Sequence, residues 1–86
     1  MARKNVTVIG MGDRVTGFKK DTGNRFDFRR VAFAFVNQYG SNDLSINTVD
    51  GDILDELNVQ VGCEYLASVQ QNPSNKQYYI DLIKAL

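Results

Sequence analysis

The twelve residues Arg25–Val36 alternate in character, with no glycine or proline among them. A period of two belongs to an extended strand and does not fit a helix face. From Val31 onward the odd positions, Val31, Phe33 and Phe35, form the natural core side, while Phe26, Phe28, Arg30, Ala32, Ala34 and Val36 form the other. The rest of the chain divides into similar short pieces. Residues 6–9 are rich in β-branched side chains and read as a strand, with Gly10 and Gly12 suited to a bulge or bend before residues 14–16 resume it. Residues 19–24, Lys-Lys-Asp-Thr-Gly-Asn, are turn formers between two extended segments and predict a projecting hairpin loop. A polar loop over 37–42, a third strand over about 44–49, an Asp50-Gly51 turn, a fourth strand over 63–70, a loop over 71–75 and a fifth strand over 77–84 complete the pattern. Helical spacing occurs in residues 52–58 alone, through Ile53, Leu54 and Leu57, where one or two turns fit. On the last strand, Tyr78 and Tyr79 are expected to divide between core and surface.

Five short strands with a helical turn between the third and fourth follow the element order of the OB-fold, a small Greek-key barrel whose sheet face and first hairpin loop bind nucleic-acid strands. The expected fold class is all-β, one OB-fold-like domain over residues 1–86. An SH3-like barrel and a five-stranded sandwich remain alternatives, because element order does not prove strand order.

A domain of 86 residues has a thin core, since it buries only roughly 60–65% of the surface its unfolded chain exposes. Cys63 is the single cysteine and histidine is absent, which rules out an internal disulfide and the clustered N and S ligands of a zinc site. Oligomerisation, as a homodimer, is the favoured remaining support. The same absences argue against an enzyme, because the usual base near neutral pH is missing and Cys63 has no histidine to activate it. No catalytic residue, metal, cofactor or small-molecule substrate is expected. Cys63, beside Gly62, reads as a small buried hydrophobe, and Asp50 and Asp52 as a turn and helix cap in preference to a cation site. Residues 6–12 open like a dinucleotide fingerprint, but Val15 stands where the third glycine is required. The first residues are too short and polar a stretch for a signal peptide or membrane span. With a free thiol, a reducing cytoplasm is the expected location.

Net charge is zero, yet residues 1–30 hold eight Lys and Arg against three Asp, and residues 31–86 hold two Lys against seven Asp and Glu. A basic half beside an acidic half suggests a polyanion site on one part of the surface. Within the basic half, Phe18, Lys19, Lys20, Arg25, Phe26, Phe28 and Arg30 interleave cations with aromatic rings. Single-stranded nucleic acid presents phosphates and exposed flat bases together, so a site for it needs both residue types. On a strand Phe26, Phe28 and Arg30 share a face at roughly 7 Å spacing, with small Ala32 and Ala34 beyond them. Arg14 and, in its polar loop, Tyr39 complete the candidate binding set. The competing reading makes Phe26 and Phe28 core residues and the cations an ordinary wet face.

The segment Thr16-Gly17-Phe18-Lys19-Lys20-Asp21-Thr22-Gly23-Asn24-Arg25-Phe26-Asp27-Phe28 resembles the basic hairpin of the short single-stranded DNA-binding proteins of filamentous phages. The end of the chain, Val61-Gly62-Cys63-Glu64-Tyr65 through Asn72-Pro73-Ser74-Asn75 to Tyr79-Ile80-Asp81, is similar to their closing strands. That resemblance implies an OB-type barrel, a two-fold dimer with residues 72–76 near its axis, and sequence-tolerant coating of single-stranded DNA during replication in a host cytoplasm. Its hairpin contacts would be Lys19, Lys20, Arg25, Phe26, Phe28 and Arg30. The acidic second half departs from the family. An RNA-binding or translational-repressor role on the same face, or a protein-interaction domain, are the alternatives.

Overall fold

The computed structural model describes residues 2–86. It is mostly β, with β1 (Ala2–Met11), β2 (Val15–Phe18), β3 (Arg25–Val36), β4 (Asn42–Asp50), α1 (Gly51–Glu56), β5 (Glu64–Gln71) and β6 (Tyr78–Ala85). One antiparallel sheet of six strands follows the path β2-β3-β1-β5-β6, and β4 pairs with the other edge of β3.

Between Val8 and Gly10 the register of β1 on β3 slips by one residue, leaving Ile9 as a bulge. This is the irregularity that the two glycines lead one to expect. Past residues 12–14 the chain resumes along the same edge of β3 as β2, with Val15 opposite Phe28 and Phe18 opposite Arg25. The Gly12 N–H donates to the Arg30 carbonyl at 2.8 Å and keeps the interrupted strand on course. The expected count of five strands thus becomes six, through a break in the first of them.

Closure also differs from expectation, since the sheet is open and does not form a closed barrel. Its two ends, β4 and β6, face each other without a backbone ladder. Side chains span the gap: Ser45 Oγ donates to the Tyr78 carbonyl at 3.3 Å, the Ile80 N–H donates to Asn47 Oδ1 at 3.3 Å, and Tyr78 OH donates to Asp43 Oδ2 at 3.0 Å. Laddered strands lie about 4.7–4.9 Å apart, and interposed side chains hold these two backbones further from one another.

The core is built from Val6 and Val8 of β1, Val31, Phe33 and Phe35 of β3, Val49, Leu54, Val59, Tyr65, Ala67, Val69 and Ile80. The odd face of β3 is therefore buried as its alternation predicts. Helix α1 contributes Leu54, with Ile53 and Leu57 packed beside it. Buried Tyr65 keeps its hydroxyl satisfied by donating to the Asn58 carbonyl and accepting from the Gln60 N–H, both at 2.9 Å. Tyr78 is half-buried edge-on to Phe35, with ring centroids 4.8 Å apart, while Tyr79 is exposed, the expected division. The expectation for Cys63 is overturned. It precedes β5 and is exposed, because Gly62 takes φ +89° and turns the chain there, its N–H donating to the Val8 carbonyl at 2.7 Å.

Candidate nucleic-acid interface

Toward the N-terminal end of β3, the pairing with β4 stops at Phe28 opposite Asp50, so residues 25–27 have β2 as their sole strand partner. What remains is a two-stranded ribbon tipped by residues 19–24, where Lys19 N–H donates to Asn24 O and Gly23 N–H to Lys19 O, each at 2.8 Å. Gly23 holds φ +70° in that turn, a left-handed conformation that glycine adopts without steric cost. Cross-strand pairing sorts the side chains by face. Gly17 opposite Phe26 and Val15 opposite Phe28 lie on one face; Phe18 opposite Arg25 and Thr16 opposite Asp27 lie on the other.

Phe26 and Phe28 are half-buried, their ring centroids 6.2 Å apart and planes tilted by 40°. Neither belongs to the core. The Phe26 ring lies across Gly17, where a Cβ would fall 2.6 Å from its Cζ. Glycine at 17 is thus the seat of that ring. Phe18 stands 71% exposed on the opposite face. Among the described residues, Lys19, Lys20 and Arg30 make no ion pair, and Arg25 approaches Asp27 only to 4.0 Å.

Arg14 is placed differently. Its Nε and Nη2 donate to Asp27 Oδ1 and Oδ2 at 2.8 Å each, and its Nη1 and Nη2 donate to Asp55 Oδ1 and Oδ2 at 2.9 and 3.0 Å. These hydrogen bonds hold both carboxyls below their ordinary value and push the guanidinium further up, so all three groups are charged at neutral pH. Arg29 is also engaged, with Nε donating to the Gly12 carbonyl at 2.7 Å. Tyr39 is 83% exposed in the loop beyond the far end of β3, about 36 Å along the strand from Arg25 at ~3.3 Å per residue. The ribbon therefore gathers Phe18, Lys19, Lys20, Arg25, Phe26 and Phe28, with Arg30 at its foot, and leaves Tyr39 apart.

A second feature lies on the outer face of the sheet. Across β4, β3 and β1, Ile46 stands opposite Ala32, which stands opposite Gly10; Leu44 stands opposite Ala34, which stands opposite Thr7. Leu44 and Ile46 are 68% and 62% exposed, and Ile9 at the bulge is exposed beside them. A cavity of about 660 Å³ opens over this row, with Arg30, Lys76 and Tyr78 at its margins.

Sequence reasoning missed the partners of Arg14. The signal available was Asp27, the one carboxylate between Phe26 and Phe28 in a basic aromatic run; nothing along the chain pointed to Asp55. Among the described residues no group of three or more His, Cys, Asp or Glu is arranged to hold a metal ion, and no helix is long and apolar enough to cross a membrane. No family model, curated protein or solved structure matches this chain.

Proposed function

We propose that this chain binds single-stranded nucleic acid, DNA in the first instance, through the β2–β3 ribbon and without strong sequence preference. The observation that carries the reading is the ribbon face: two neighbouring rings, half-exposed and outside the core, near Lys19, Lys20 and Arg30, which make no ion pair among the described residues, and Arg25, whose one ion pair, to Asp27, is long at 4.0 Å. Exposed rings stack on any base and free cations take phosphates, so this face matches both chemical features of a single strand. The competing core role for Phe26 and Phe28 fits less well, because neither belongs to the buried core and both remain partly exposed.

The topology supports an OB-type reading. β1 lies between β3 and β5, β4 follows on β3, β6 on β5, and the helix sits between β4 and β5. An OB-fold is a partly open five-stranded barrel that binds through its second and third strands and the loop joining its first two; here those parts are β3, β4 and residues 19–24. In this reading the chain acts as the single-strand coating protein of a filamentous phage or related element, is not an enzyme and works in the cytoplasm of the host. The exposed row of Ile9, Leu44 and Ile46 supports the homodimer, since a thin core gains most from covering apolar surface.

Fluorescence-anisotropy titration of labelled oligo-dT, duplex DNA and oligo-U over a salt series tests the function. Tight, salt-dependent binding of oligo-dT over duplex is expected. Preference for oligo-U would move the assignment to RNA, and absence of binding to all three would remove it.

A further inference from the structure

The ribbon is attached to the rest of the domain in few places. Among the described residues β2 has no strand neighbour other than β3, and toward the tip β3 has none other than β2. A two-stranded ribbon on its own twists and bends readily, so the direction in which Phe26 and Phe28 face depends on what ties its foot to the body. Arg29 bonds the Gly12 carbonyl, a tie within the sheet itself. Arg14 makes the tie to another element. Its guanidinium grips Asp27, on the ribbon face opposite Phe26 and Phe28, and Asp55, on α1, with four hydrogen bonds of 2.8–3.0 Å. A planar fork meeting two carboxylates side-on and end-on fixes orientation as well as distance.

The helix is shaped for this contact. Gly51, its first residue, is buried, and a Cβ there would overlap Asp27 Oδ2 and fall 2.7 Å from Arg14 Nη2. The surroundings are also ill suited to a phosphate. Asp27 and Asp55 together outweigh the charge of Arg14, and although Lys19 and Arg25 also line the groove, Asp50 and Asp52 bring its carboxylates to four against three cations.

We propose that Arg14 is a positioning residue and not a phosphate ligand: with Asp27 and Asp55 it locks the ribbon against α1 and so presents Phe26 and Phe28 outward. The proposal rests on the ribbon being the nucleic-acid site. Asp55→Ala separates it from simple electrostatics, since removing a negative charge near a polyanion site should tighten binding, whereas releasing the ribbon should weaken it. Oligo-dT affinity is expected to fall about two- to fivefold, the scale on which exposed ion pairs act. Arg14→Gln should give a similar loss with an unchanged slope of log K against log salt.

The lock itself is read without nucleic acid. Spin labels on the exposed Cys63 and on Asp21→Cys at the ribbon tip, with labelled protein diluted into unlabelled, give a distance distribution by double electron–electron resonance. It should be narrow in the parent protein and broad in Arg14→Gln, Asp55→Ala and Arg14→Lys, because an ammonium keeps the charge but cannot hold both carboxylates in a fork. An unchanged distribution in all three variants overturns the lock. Equal or tighter binding by Asp55→Ala, or a salt slope shallower by about 0.7 in Arg14→Gln, as for a lost phosphate contact, overturns its role in binding. If the parent protein does not bind oligo-dT, the single-strand reading and the lock's service to it fall together, while the distances still decide whether the ribbon is locked.

Discussion

Truncating Phe26 or Phe28 to alanine tests whether the ribbon rings are ligands or core. Neither ring is among the buried residues; the two lie 6.2 Å apart, and the Phe26 ring also lies across Gly17. Losing one ring then removes an aromatic pair worth about 0.5–1.5 kcal/mol beyond the area it buries, and that area is only part of the ring because both residues are half-exposed. A domain of 86 residues has about 4–13 kcal/mol of stability at ~0.05–0.15 kcal/mol per residue, so both variants should remain folded. Phe33→Ala provides the contrast: its side chain is fully buried, and a cavity of that size costs about 3–5 kcal/mol. If the rings stack on bases, each single truncation should weaken oligo-dT binding by about 1–3 kcal/mol, or roughly 5- to 150-fold. Thermal melting followed by circular dichroism, with anisotropy titration on the same samples, reads both quantities. Two folded variants that bind like the parent protein would refute the stacking argument. Melting as severe as that of Phe33→Ala would return the rings to the core.

Lys19→Ala, Lys20→Ala and Arg25→Ala should lower affinity for all oligomer sequences alike, each making the salt slope shallower by about 0.7, as measured by anisotropy between low and high salt. Ile46→Lys, at an exposed site in the apolar row, should leave the fold intact and shift the species seen by light scattering from twice 9.7 kDa to 9.7 kDa; an unmoved dimer would place the interface elsewhere. The hydrogen bond to Asp43, aided by desolvation, raises the Tyr78 phenol above its ordinary 10.0. Its contribution is therefore full below pH 10.0 and is lost as pH rises through the raised value. Melting temperature should fall in that alkaline range for the parent protein and less so for Tyr78→Phe.

Much of this protein is determined by local sequence. The alternation of Arg25–Val36 identified β3 and its buried face, because a strand's side-chain period of two leaves Val31, Phe33 and Phe35 no other side to occupy. The turn formers at 19–24 and the shared face of Phe26 and Phe28 were likewise legible, being consequences of backbone geometry over a few residues. What required the tertiary structure depends on contacts between distant segments. Leu44 and Ile46 alternate with Ser45 and Asn47, and hydrophobic patterning by itself favours the apolar pair for the core. The pairing of Ile46 with Ala32 turns the apolar pair outward, while Ser45 and Asn47 reach β6 and leave the sheet without a ladder between its ends. In the same way Arg14 read as one more cation of the basic half, and only the fold brings Asp55, 41 residues away, to its guanidinium. Periodicity reports what neighbours along the chain prefer; which polar groups meet across the molecule is set by how the strands are ordered, and that order is a property of the whole core.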